Sequence, residues 1–308
     1  MHFPEFYDPQ RAGQLDPPDV AGAIAQGAAA GVPSAETDRR KQLLLLVDCQ
    51  VDFIHPQGSL SVPGAVEDTA RTIEWLFRNL REVTTIAASL DSHVPNQIFY
   101  PTWWVDEAGR QPAPYTVITG NEVAAGRWRP IYELEWSREY VYRLELQAKK
   151  QLMIWPYHTM IGTPGHNLMP ALYEAIAYHA AARQAQPIFL SKGTIPKTEH
   201  YSILEPEVKV PGDPHGQLNA EFLDLLASYD RVYIAGQAKS HCVLETAASI
   251  VNYFRGQPDR LGRFHVLMDC TSSVAHPQID FEALANTAYQ EFAAQGLRLT
   301  TSTEPIDA

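Results

Sequence analysis

Cysteine is scarce in this chain: Cys49, Cys242 and Cys270 are the only three in 308 residues, an odd number and widely spaced. That pattern excludes a disulfide framework and fits a reducing compartment. Positive charge is also short, with 24 Lys and Arg against 36 Asp and Glu, a formal net charge of -12. Non-specific binding to nucleic acid or to an anionic membrane needs clustered basic charge, so neither partner is expected. No apolar run approaches the roughly 20 residues of a membrane-spanning helix. The opening MHFPEFYDPQ lacks a basic stretch, so a cytoplasmic protein is expected. There is no internal repeat.

What is present is enough apolar material for a large core, 45% of residues. Residues 1–41 are rich in Pro, Ala, Gly and Asp and read as an N-terminal arm, extended or partly disordered. From Gln42 the pattern changes. Leu43 to Val47 is a continuous apolar run ending at Asp48, as a strand buried on both faces requires. Similar runs occur at 85–90, 187–190, 232–235 and 264–268, with a weaker one at 297–301. Helical spacing appears between them at 65–83, 168–183, 218–229, 242–253 and 281–294. Alternating strands and helices predict a three-layer α/β/α fold with a mostly parallel sheet of about six strands. Functional groups in such sheets gather at the carboxyl ends of the strands. The alternation breaks over about 100–153, which holds Trp103, Trp104, Trp128 and Trp136. This segment is an insertion, either a lid or subunit contact or a satellite cluster packed on the core.

Reactive residues fall at the strand ends. Asp48 closes the first strand, Asp91 and His93 the second, and Lys192 the third; Cys242 follows the fourth by a few residues. A thiol at a helix N-terminus is favoured as thiolate by the helix dipole, though a buried structural cysteine has the same address. Attack by a thiol on a carbonyl needs a proton acceptor, a cation and oxyanion donors. Asp48, Lys192 and the backbone N–H groups around Ala238 and Cys242 supply that set. Asp91, His93 and His158 are potential ligands for a divalent metal. With 11 histidines in the chain, spacing alone also allows hydrogen-bonded loop residues.

The segments Val47-Asp48-Cys49-Gln50-Val51-Asp52-Phe53 and Gly58 to Ala65 resemble the opening signature of nicotinamidases, in the isochorismatase-like cysteine hydrolase superfamily. Asp91-Ser92-His93, Trp155-Pro156-Tyr157-His158, Gly162 to Gly165, Lys192-Gly193 through Tyr201-Ser202, and Gly236 to Val243 resemble further family segments, in family order over roughly 42–305. The resemblance implies that Cys242 is the nucleophile, Asp48 the proton-transfer carboxylate and Lys192 the cationic partner. It implies a non-proline cis peptide at Gln237-Ala238, which with Cys242 orients the oxyanion donors. Asp91, His93 and His158 would bind one divalent ion, zinc first, with iron or manganese as alternatives. Phe53 and Trp155 would flank an aromatic ring.

Four positions depart from the family pattern: Gln97 stands where many nicotinamidases carry another His, Lys239-Ser240 replaces Thr and an acidic residue, and His200 replaces an Asp. The resemblance implies a hydrolase domain over 42–308 and a small aromatic carboxamide as substrate; a homo-oligomer is also expected. Two rivals are a hydrolase of another small amide or a carbamoyl or ureido compound, and an inactive ligand-binding or assembly protein.

Overall fold

The leucine run at 43–46 becomes the centre of the molecule because its side chains are covered from both sides. A computed structural model describes residues 3–148 and 150–306. In chain order the first elements are α1 (Val20–Ala28), β1 (Gln42–Val47), α2 (Val51–Ile54), α3 (Ala65–Arg78) and β2 (Thr85–Asp91). Short pieces follow: β3 (Trp104–Val105), β4 (Val117–Ile118), α4 (Gly120–Ala124), β5 (Arg129–Pro130), α5 (Leu134–Arg143) and β6 (Leu152–Met153). Alternation resumes with α6 (Pro170–Arg183), β7 (Ile188–Lys192), α7 (Ala220–Ala227), β8 (Arg231–Gly236) and α8 (Cys242–Tyr253). The chain closes with α9 (Pro258–Leu261), β9 (Phe264–Leu267), α10 (Phe281–Gln295) and β10 (Arg298–Thr300).

Six strands form one parallel sheet in the order β10-β9-β8-β1-β2-β7. Period-two alternation splits β1 between two cores. Leu44 and Leu46 pack with residues of α3 and α6, and Leu43, Leu45 and Val47 with residues of α7, α8 and α10. The fold is therefore the expected three-layer α/β/α sandwich.

Two elements differ from the sequence reading. Helical spacing predicts a helix to Val83, but α3 ends at Arg78. There the Asn79 side-chain amide donates to the Trp75 carbonyl at 2.8 Å, and the Asn79 carbonyl accepts from Glu82 and Val83, turning the chain into β2. The run at 187–190 predicts a fully buried strand, whereas β7 lies at the sheet edge with Phe189 and Ser191 exposed. An edge strand has one uncovered side, and a single aromatic survives there by stacking on Tyr173 at 6.2 Å.

The described part of the N-terminal 41 residues is laid along α3 and α6 and includes the helix α1. Its contact with α6 depends on Gly27, where a Cβ would stand 2.4 Å from the Tyr178 carbonyl oxygen. Two arginines fasten the segment. Arg11 forms a two-pronged pair with Glu174, both contacts 3.2 Å, and buried Arg183 reaches Asp38 at 2.5 and 2.6 Å. In the insertion, Trp103 and Trp104 are buried and donate to Ser137 Oγ and the Ile98 carbonyl at 2.9 and 2.6 Å. Trp136 donates to the Lys197 carbonyl at 2.8 Å. These contacts pack the insertion onto the core, while Ile131, Leu134, Tyr142 and Leu146 stay exposed. No described helix is long and apolar enough to cross a membrane.

Candidate active site

Four neighbouring strands, β8, β1, β2 and β7, deliver one polar group each to the same end of the sheet. Asp48 follows β1, with φ of 47°; Asp91 ends β2 and Lys192 ends β7. Cys242 is the first residue of α8, reached from β8 through the turn 237–241. Its backbone N–H therefore has no intrahelical acceptor. The peptide bond between Gln237 and Ala238 is cis.

Lys192 is the hub. Its Nζ lies 2.8 Å from Asp48 Oδ2, 2.9 Å from Asp91 Oδ1 and 3.6 Å from Cys242 Sγ. It also donates to the His200 carbonyl at 3.0 Å, which gives the departure at His200 a backbone role. Asp48 is fully buried; its Oδ1 accepts from Ser89 Oγ at 2.6 Å and its N–H donates back to Ser89 Oγ at 3.0 Å. Burial raises the Asp48 pKa, with Lys192 opposing and Asp91 adding. For Lys192, burial disfavours the ammonium, but Asp48, Asp91 and Cys242 outweigh it and raise the pKa.

Cys242 differs from the thiolate its helix position suggests. Burial raises its pKa well above the ordinary thiol value; Lys192 opposes, and Asp48 and Asp91 push further upward. Sulfur and the Asp48 carboxyl group both lie against Lys192 Nζ, at 3.6 and 2.8 Å, so thiol, carboxyl and amine meet at one point.

Asp91, His93 and His158 are all buried, with one potential ligand atom from each lying within 4.8 Å of the others. His93 Nδ1 bonds the Gly193 carbonyl at 3.1 Å and His158 Nδ1 the Pro156 carbonyl at 2.7 Å. Both Nε2 atoms face Asp91 Oδ2, at 2.8 and 3.7 Å. Two imidazoles held from behind beside one carboxylate are a donor set that suits a divalent transition metal. Gly193, with φ of 78°, makes the approach possible: a Cβ there would sit 2.6 Å from Asp91 Oδ1 and 2.8 Å from His93. Gln97 stands outside the trio. Its Nε2 donates to the Gly193 and Ile195 carbonyls and its Oε1 accepts from Val94, so it braces the loop after β7.

Phe53 lies edge-on to His158 with ring centroids 5.5 Å apart, on the side of the metal trio. Trp155 lies edge-on to His241, the residue before Cys242, at 5.3 Å. Several residues escaped the sequence reading. Gln50 accepts from the Asp91 N–H at 2.7 Å and donates to the Asp91 and His166 carbonyls. Asp52 accepts from the Ser59 and Thr159 N–H groups, and Glu199 accepts from Tyr201 and Trp155. Gln50 and Asp52 stand in the quoted motif, which was their only signal.

No family model matches the chain, and no curated protein sequence matches it significantly. Solved structures do. The yeast nicotinamidase Pnc1p superposes on 84% of this chain and 99% of its own, with a TM-score of 0.56 at 20% identity. A nicotinamidase/pyrazinamidase from Acinetobacter baumanii covers 87% of this chain and 98% of its own, with a TM-score of 0.55 at 19% identity. PnC1 from L. infantum, in complex with nicotinate, covers 88% and 96%, with a TM-score of 0.51 at 19% identity. The chain thus has the fold of these three structures, over nearly the whole length of each.

Proposed function

We propose that the chain is a metal-dependent cysteine amidohydrolase converting nicotinamide to nicotinate and ammonia. The observation that carries this reading is the position of Lys192 Nζ, in contact with Asp48, Asp91 and Cys242 at once. A thiol, a carboxylate and a cation are thereby assembled where one carbonyl carbon can meet all three. Two fold relatives add weight: the L. infantum protein is in complex with nicotinate, and the yeast enzyme was bound to the inhibitor nicotinaldehyde. Both ligands are pyridines bearing a carbonyl group.

In the proposed reaction the Cys242 proton moves to Asp48 as sulfur attacks the amide carbon. Lys192 balances the charge, and the N–H groups of Ala238 and Cys242 receive the oxyanion. Asp48 then gives the proton to the departing nitrogen, releasing ammonia and leaving a thioester on Cys242. Asp48 next takes a proton from water, hydroxide oxygen adds to the thioester, and the acid leaves as the thiol is restored. A divalent ion on Asp91, His93 and His158 would supply a Lewis-acid anchor for the pyridine nitrogen. Phe53 and Trp155 hold the ring by its faces and edges.

The test is ammonia release from nicotinamide by the metal-loaded protein. Cys242→Ala should lower kcat by at least about a thousandfold, and chelation should suppress turnover until zinc is restored. No ammonia from nicotinamide or from a panel of small amides sinks the enzyme reading. Chelator-insensitive release from a carbamoyl or ureido compound favours the other hydrolase.

A further inference from the structure

Behind the proposed ring clamp lies a hydrogen-bond chain that the reaction does not use. The Trp155 indole N–H donates to Tyr201 Oη at 2.9 Å and to Glu199 Oε1 at 3.3 Å. Tyr201 O–H in turn donates to Glu199 Oε1 at 2.5 Å. Tyr140 O–H reaches Glu199 Oε2 at 3.2 Å and accepts from the Glu199 N–H at 3.0 Å. Three donors from three parts of the chain thus converge on one buried carboxyl group.

Tyr201 is held from two further directions. Its backbone N–H donates to Glu207 at 3.2 Å, and Lys150 Nζ lies over its ring at 4.9 Å while pairing with Glu245 at 2.7 Å. On the other side, Trp155 and Tyr201 both lie edge-on to His241, at 5.3 and 5.4 Å, and His241 directly precedes Cys242. Together the three rings border a cavity of about 300 Å³. With its donor and acceptor committed to Glu199 and Trp155, Tyr201 offers a ring face and no spare hydroxyl.

We propose that Glu199 is a positioning residue for the substrate ring: its carboxyl fixes Trp155 and Tyr201 as one wall against His241, the residue before Cys242, and Tyr140 and Lys150 tie that wall to the 100–153 insertion. The role in substrate binding rests on the amidohydrolase reading above; the wall itself does not. Burial pushes the Glu199 pKa upward, against the Tyr201 hydroxyl and with Glu207 adding, to about 7. Glutamine keeps a carbonyl acceptor for Trp155 and Tyr201, whereas alanine leaves Trp155, Tyr201 and Tyr140 without an acceptor in a buried site.

The experiment compares Glu199→Gln, Glu199→Ala and Tyr140→Phe with the unaltered protein in two readouts. One is kcat and KM for nicotinamide measured separately. The other is the near-ultraviolet circular dichroism band of Trp155, defined by the difference between the unaltered protein and Trp155→Phe. Glu199→Ala should raise KM about tenfold or more with kcat within about threefold, and Glu199→Gln should keep both within about threefold. The Trp155 band should be lost in the first and kept in the second. Tyr140→Phe, which removes one hydroxyl and keeps the ring, should raise KM a few-fold and carries the test if Glu199→Ala does not fold. Unchanged KM and an unchanged band in Glu199→Ala overturn the proposal, as does unchanged KM in Tyr140→Phe when Glu199→Ala is unfolded. A fall in kcat at constant KM overturns it in favour of a direct chemical role. If the unaltered protein hydrolyses no amide while the band responds as stated, the wall stands and the amidohydrolase reading falls.

Discussion

His179 shows how much of this molecule is decided by single buried side chains. It lies on α6, is 1% exposed and bonds the Val83 carbonyl through Nε2 at 2.9 Å. Burial holds its pKa down to about 4, with Arg183 pressing the same way and the Val83 contact and Asp38 opposing. The folded state therefore keeps a neutral imidazole where the unfolded chain takes up a proton below its ordinary pKa near 6.5. Its stabilising contribution is complete above about 6.5 and is lost as pH falls from there towards 4, up to about 3 kcal/mol by linkage. Thermal unfolding should accordingly show a midpoint that drops over that interval, and His179→Gln, which keeps a donor without titrating, should flatten the drop. An equal slope in the variant would remove His179 as the cause. At this scale the sequence is uneven as a guide. Asp48, Asp91, Lys192 and Cys242 are legible because strand ends can be read from apolar runs. Ser89, Gln50 and Glu199 are not, since each depends on a partner 40 or more residues away in the chain.

Among the elements, those with strong periodicity are the ones the sequence places well: β1, β2, β8 and α8 fall within a residue or two of their apolar patterns. The helix α1 is illegible for a physical reason. It has only nine residues, two of them the poor helix formers Gly22 and Gly27, too short to be stable in isolation, so it depends on packing against α6. Gly27 carries that contact, because a side chain there would strike the Tyr178 backbone carbonyl. Gly27→Val should cost about 1–3 kcal/mol through overpacking and should expose residues 1–41 to limited proteolysis before the rest of the chain. Resistance equal to that of the unaltered protein would show that the Arg11–Glu174 and Arg183–Asp38 pairs hold the segment without α1. The short elements of the insertion escaped for the related reason that two-residue strands have no period to detect.

For the molecule as a whole, a metal ion on Asp91, His93 and His158 would bind only the folded chain, since the three ligands come from separate segments joined by the fold. Zinc at a hundredfold excess over its Kd should then add about 2.7 kcal/mol to stability. That corresponds to a rise in Tm of several degrees for a chain of this size, reversed by chelation and absent in His93→Ala. A Tm indifferent to zinc would speak against the site whatever the activity. One further consequence follows from the order of strands. Asp48 leaves β1, which is paired on both sides, whereas Lys192 leaves β7, which has a neighbour on one side. The ion pair between them spans a gradient of protection, from the most enclosed backbone in the sheet to an edge that can exchange its amides by local fraying. The loop bracing by Gln97 and the Trp136 bond to Lys197 then act as mooring lines, setting how long the lysine stays in register with the thiol.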